Sequence, residues 1–239
     1  MDFQKCVLYL DNHLLVCCKP TGILSQGDIT GDPDMLTLAK RFIKNKFSKP
    51  GNVFIGLVHR LDRPVSGVMV FARTSKAATR LTAQFKERSV AKSYVALVEG
   101  RLAGGGEMVD FIEKRNQRAH IVDGERKGAR IARLHWQTQA TKRNISLVNI
   151  QPVTGRSHQI RVQFANAGYP LLGDFKYGAR EKFDGRNLAL HSHTLTFSHP
   201  TTKEQLTFSA APPESWHVHF SPGSYAFIPA RAGQDPLVS

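Results

Sequence analysis

The stretch Val53–Ala72, VFIGLVHRLDRPVSGVMVFA, decides how the chain is read. Its ends, Val53-Phe54-Ile55-Gly56-Leu57-Val58 and Val68-Met69-Val70-Phe71-Ala72, are continuous apolar runs of strand length, as expected for strands buried on both faces. Between them the turn HRLDRPVSG sets the carboxylate of Asp62 between Arg60 and Arg63. Asp62 is therefore expected at a strand end, with two guanidinium groups favouring its ionised form. On spacing alone, an ion pair in a turn explains such an acid as well as a catalytic role does.

Upstream, residues 6–18 read as two short strands, CVLYL and HLLVCC, around the turn Asp11-Asn12, and Lys19-Pro20-Thr21-Gly22 breaks the pattern. Asp34 can cap a helix that buries Met35, Leu38, Phe42 and Ile43 and turns Lys40, Arg41, Lys44 and Lys46 outward. Downstream come a helix over 75–88, a strand over Lys92–Val98 and a turn or flexible tip at Gly104-Gly105-Gly106. Segment 111–135 is the densest basic region, followed by a strand over Ile145–Ile150. A helix over 156–167 is expected to end at Gly168, and His191–Phe197 turns through His199-Pro200 into Leu206-Thr207-Phe208 as a hairpin. Strands and helices do not alternate strictly. The expectation is an α+β fold with a largely antiparallel mixed central sheet and flanking helices, in one domain over residues 1–221, with a disordered tail over 222–239.

The composition narrows the partner. Among 239 residues, 33 Lys and Arg face 19 Asp and Glu, a formal net charge of +14, and 41% of the chain is hydrophobic, enough for a sizeable core. A strongly basic chain meets anions, and nucleic acid suits it best. There is no apolar stretch of spanning length, no amphipathic lipid-facing helix and no secretion signal, so a cytoplasmic protein with no membrane partner is expected. Cys6, Cys17 and Cys18 have no C-x-x-C spacing and read as free thiols. His191-x-His193 and His217-x-His219 lack companion carboxylates or cysteines, which disfavours a metal site.

HRLDRPVSG resembles the H-R-L-D-x-x-T/V-S-G signature of the RluA-type pseudouridine synthases, and further family motifs follow in order. Val16–Gly22 is similar to V-x-N-K-P-x-G, Lys92–Gly100 to K-x-Y-x-A-L-V-x-G, and Pro152–Val162 to P-x-T-G-R-x-H-Q-I/L-R-V. Leu172-Gly173-Asp174, Tyr177-Gly178, Leu190-His191 and Phe197–Pro200 complete a set reaching over roughly residues 14–213. Cys18 stands where the family usually carries Asn, and the S4-type RNA-binding domain of many relatives is absent from this sequence.

The resemblance implies an isomerase that converts uridine in ribosomal or transfer RNA to pseudouridine after flipping the base, with no metal or organic cofactor. It assigns catalysis to Asp62 as nucleophile, attacking C1′, removing a sugar proton or adding at C6. Tyr94 would stack on the uracil, and Arg156 would pair with Asp62. Arg60 would fill the space left by the flipped nucleotide, and Arg63 suits a phosphate. His59, Ile160 and Arg161 join them as substrate-binding residues of the matched motifs, with His59, His158 and His191 also read as hydrogen-bonded scaffold. A monomer is expected. The rival readings are a non-catalytic RNA-binding or assembly factor, which would need no such acid, and a metal-dependent nuclease, which would need clustered carboxylates.

Overall fold

The computed structural model describes residues 2–185 and 187–224. The chain divides into two compact units: within the described residues, the first comprises 2–91 and 192–210, and the second 92–191 and 211–224. Both build sheet and helix into an α+β fold that is mostly antiparallel. The tail expected to be disordered lies, beyond Ser224, outside the described residues.

In the first unit β1 (Val7–Leu10) pairs with β2 (Leu14–Lys19), and β2 pairs with β4 (Ser66–Ala72) in a register that sets Lys19 opposite Gly67. All seven residues of β4 are buried, as its continuous apolar run requires. β10 (Leu190–Ser198) lies on the other edge of β4 and pairs with β11 (Gln205–Ser209), with Leu195 opposite Phe208. Two helices cover the sheet. In α1 (Met35–Lys46) the Asp34 carboxylate accepts from the Thr37 amide at 2.9 Å, a cap worth about 1 kcal/mol, and Met35, Ala39 and Ile43 are buried. In α2 (Ser75–Lys86) Thr74 caps the start, and Ala77 and Leu81 enter a core with Leu14, Val16, Val68, Val70 and Phe197.

The run Val53–Val58 yields only the two-residue strand β3 (Gly56–Leu57), opposite Ala72 and Phe71. β10 occupies the same edge of β4, which leaves β3 only the end of that strand. Beyond Leu57 the His59 ring takes over. Its Nε2 accepts from the Val70 amide at 3.0 Å, so an imidazole replaces the carbonyl a longer strand would supply. At the start of β4, Gly67 has φ +120°, and a Cβ there would run into the backbone of Ser192.

The second unit is an antiparallel sheet ordered β5 (Ala91–Glu99), β9 (Ile145–Pro152), β8 (Ala129–Lys142), β6 (Gly105–Arg115) and β7 (Arg118–Val122). The triple glycine is not a loose tip: Gly105 and Gly106 begin β6 opposite Gln137 and Trp136. The basic segment 111–135 is a three-stranded surface, on which alternate residues Ile112, Ala119 and Ala132 join Val162 and Tyr177 in a core. The helix expected over 156–167 is shorter, α3 (Gln159–Asn166), because His158 takes a left-handed φ of 53° and residues before it remain in a turn. Gly168, at φ +86°, follows its C-terminus as expected.

Candidate active site

Asp62 begins a tight turn in which the Val65 amide donates to the Asp62 carbonyl at 3.0 Å. The turn is fastened from outside by the segment after β2. The Ser25 hydroxyl donates to the Leu61 carbonyl at 2.6 Å and accepts from the Leu61 amide at 3.0 Å. The Arg63 carbonyl accepts from the Gly22 amide at 2.9 Å and from the Lys19 ammonium at 3.1 Å, and that ammonium also donates to the Pro20 carbonyl at 2.9 Å. Apart from the Lys19–Pro20 contact, these bonds use backbone atoms of the Asp62 turn and of Leu61 before it. The Asp62 side chain itself is half-buried.

Lys19 is 0% exposed. Burial pushes its ammonium down to about 7, against the pull of the Asp62 charge in the opposite direction. Next to it, burial raises the Cys18 thiol to about 11, so the residue that replaces the family's Asn stays a neutral thiol at physiological pH.

Arg60 is exposed. Arg63 is exposed too, with its Nε donating to the Gly22 carbonyl at 3.0 Å and its Nη1 pairing with Asp32 at 2.7 Å. The guanidinium therefore already holds a carboxylate where a phosphate contact was expected. His59 stacks on Phe85, centroids 4.7 Å apart and planes 17° apart, while its Nε2 accepts from Val70. These contacts match the scaffold role also read for it.

In the second unit Tyr94 stands half-buried on β5 opposite Ile150, and Lys92, two residues earlier, points to the same side. The Lys92 ammonium reaches the turn after β9, where it lies 3.8 Å from the position a Cβ would take at Gly155. Arg156 follows in that turn, with its Nε donating to the Ile131 carbonyl at 2.9 Å. One side chain organises the surroundings. Gln159 accepts from the Arg156 amide at 3.0 Å and from the Thr154 hydroxyl at 2.7 Å, and it donates to the Arg133 carbonyl at 3.0 Å.

Behind the turn, the Tyr177 hydroxyl accepts from the Ala119 amide at 2.9 Å and lies within hydrogen-bond distance, 2.7 Å, of His158 Nδ1. Arg161 and Asp174 form a bidentate pair, both contacts 2.7 Å, with side chains 7% and 1% exposed. Arg161 also lies over the Tyr177 ring at 5.1 Å. A guanidinium buried against a carboxylate and a ring braces α3. Ile160, 7% exposed, lies beside it in α3.

Residues 13–166 match the family model described as RNA pseudouridylate synthase, which is well over half of the chain. The chain belongs to the RNA pseudouridine synthases. Within them it is of the RluA type: it is 37% identical over 215 residues to the dual-specificity RNA pseudouridine synthase RluA of Haemophilus influenzae, covering 85% of this chain and 91% of that protein. It is 36% identical over 229 residues to the ribosomal large subunit pseudouridine synthase D of Xanthomonas campestris, covering 89% of this chain but 67% of that longer relative. Among solved structures, human RNA pseudouridylate synthase domain containing 4 superposes with a TM-score of 0.75 at 25% identity, over 90% of this chain and 93% of that one. The activity that follows is isomerisation of uridine in RNA.

Proposed function

We propose that this synthase modifies a uridine displayed in a stem-loop of ribosomal or transfer RNA, with Asp62 as the nucleophilic carboxylate, Tyr94 against the uracil and Arg156 as the partner of Asp62. In the net reaction the C1′–N1 bond breaks, the uracil turns over and C5 bonds to C1′, while C5 loses a proton and N1 gains one. The observation that carries the assignment is the Asp62 turn, anchored through the backbone on both sides of the residue while the carboxylate remains half-buried. Loop RNA suits the chemistry because unpaired bases are readily splayed out. Arg60 takes the space of the flipped nucleotide, as a planar guanidinium can stack and donate together.

The test uses unmodified ribosomal and transfer RNA carrying 5-tritiated uridine. Each turnover replaces the label at C5 with carbon, so wild type releases tritium to water from the pool that holds its substrate. Asp62→Ala should lower release by at least about 10³-fold with folding and RNA binding retained. Release by the variant at the wild-type rate removes Asp62 from catalysis. Salt-sensitive binding without release from either pool would point to an RNA outside both.

A further inference from the structure

Lys19 is the fully buried cation of the first unit's site, and the expected chemistry gives it no task. It ends β2, its whole side chain runs beneath the Asp62 turn, and its ammonium reaches the carbonyls of Pro20 and Arg63. Burying an ammonium opposes folding before its hydrogen bonds are counted, and an apolar side chain of similar length would avoid that cost. A cation kept under such conditions beside an acid points to work done for that acid.

We propose that Lys19 is a positioning residue for Asp62: its ammonium holds the turn by the Arg63 carbonyl and supplies the buried positive charge against which the Asp62 carboxylate stands. This rests on Asp62 being the catalytic carboxylate. Two features of the geometry carry it. The Arg63 carbonyl lies inside the turn that the Asp62 carbonyl and Val65 amide close, so pulling on it fixes the backbone one residue from the nucleophile. The charge is also local, because the titratable and charged groups that act on Lys19 are Asp62, the thiols of Cys18 and Cys17, and Arg63, and burial raises both thiols and keeps them neutral. Asp62 is the anion of this set.

The charge makes the role separable from simple bracing. Burial brings the Lys19 ammonium down to about 7, so it is lost near neutral pH, whereas an uncharged anchor such as Ser25 acts equally at every pH. The experiment measures kcat/KM by tritium release from pH 5.5 to 9 for wild type, Lys19→Met, Ser25→Ala and Asp62→Ala. The expected result is a wild-type rate that falls as pH rises through about 7, and a Lys19→Met rate about tenfold lower at pH 6 that lacks this limb and converges on wild type at pH 9. Ser25→Ala should run parallel to wild type. A Lys19→Met profile identical to wild type, or lowered by one constant factor throughout, overturns the proposal. If Lys19→Met does not fold by circular dichroism, the wild-type profile still decides, because the absence of any limb between pH 6 and 8 overturns it as well. Activity retained in Asp62→Ala would instead defeat the reading of Asp62, whatever Lys19 does.

Discussion

The turn carrying Asp62 is held through its own backbone by groups from a distant segment, whereas in the turn carrying Arg156 one side chain, from the helix it leads into, ties three residues together. Around Asp62 the work is divided among the Lys19 ammonium, the Gly22 amide and the Ser25 hydroxyl. Around Arg156 the Gln159 amide ties Thr154, Arg133 and Arg156 together, beside direct bonds from Val153 and Thr154 to Arg133. Distributed backbone anchoring fixes the chain around a reactive side chain and tolerates loss of one anchor. Anchoring through a single amide is compact and fragile, since several buried groups lose their partner together.

The largest loss of stability is expected behind the fragile turn. Arg161→Met leaves Asp174 buried without its guanidinium, at a cost of about 3–5 kcal/mol. The double variant Arg161→Met/Asp174→Leu should recover most of that, which urea unfolding would show. Equal losses in the single and double variants would mean that the pair holds α3 by more than charge compensation. Next comes Gln159→Ala, about 2–4 kcal/mol for the groups it leaves unpaired, with a lower kcat because the Arg156 amide loses its partner. Ser25→Ala removes one of several anchors and should cost about 1–2 kcal/mol. If Ser25→Ala proves as costly as Gln159→Ala, the contrast between distributed and concentrated anchoring fails.

The two turns also differ in how far the sequence reveals them. Pattern and capping residues located β4, α1 with its Asp34 cap, the β10–β11 hairpin and the glycine after α3, because each depends on neighbours in the chain. Motif order located Asp62, Tyr94 and Arg156 as candidates. The early end of β3 was not legible, since it depends on His59 and β10 competing for one strand edge. Nor was the late start of α3, set by bonds from Gln159 to Arg133, 26 residues away. The pairing of Arg161 with Asp174 was not legible either, because nothing local announces that carboxylate as its partner. Lys19 looked like a pattern breaker, and only the fold shows it buried under the turn.

A smaller effect should separate the units by pH. Asp11 in the first unit is subject to burial, which raises its pKa, but the amides of His13 and Leu14 and the side chains of Tyr9 and His199 outweigh this and hold it below the ordinary carboxylate value. A depressed folded-state pKa contributes stability that is present above the unfolded value of about 4 and lost as pH falls through the folded one. Asp11→Asn should therefore be less stable than wild type at pH 7 and approach it below pH 3 in thermal unfolding. A gap that does not narrow with acid would assign the effect to geometry alone.

The smallest effect concerns RNA contact, where two basic surfaces of similar charge should behave differently. On α1, Lys40, Arg41 and Lys44 are exposed. On the β6–β8 surface, Arg115 and Arg126 both pair with Glu113, at 2.7 and 2.8 Å, and those hydrogen bonds, Arg115 first, hold its carboxyl down to about 2. That carboxylate is charged at any working pH, so two arginines present less net charge to phosphates than two free ones would. Each phosphate contact made by a free cation contributes about 0.7 to the slope of log K against log salt for single-stranded RNA. Replacing Lys40, Arg41 and Lys44 with Gln should lower the slope by about 2, while replacing Arg115 and Arg126 should lower it by less than about 1. Glu113→Gln should steepen it, as the arginines it held turn to phosphate. An unchanged slope in the α1 variant takes that helix out of the interface, and a shallower slope in Glu113→Gln would mean that the glutamate orders the arginines for RNA instead of competing with it.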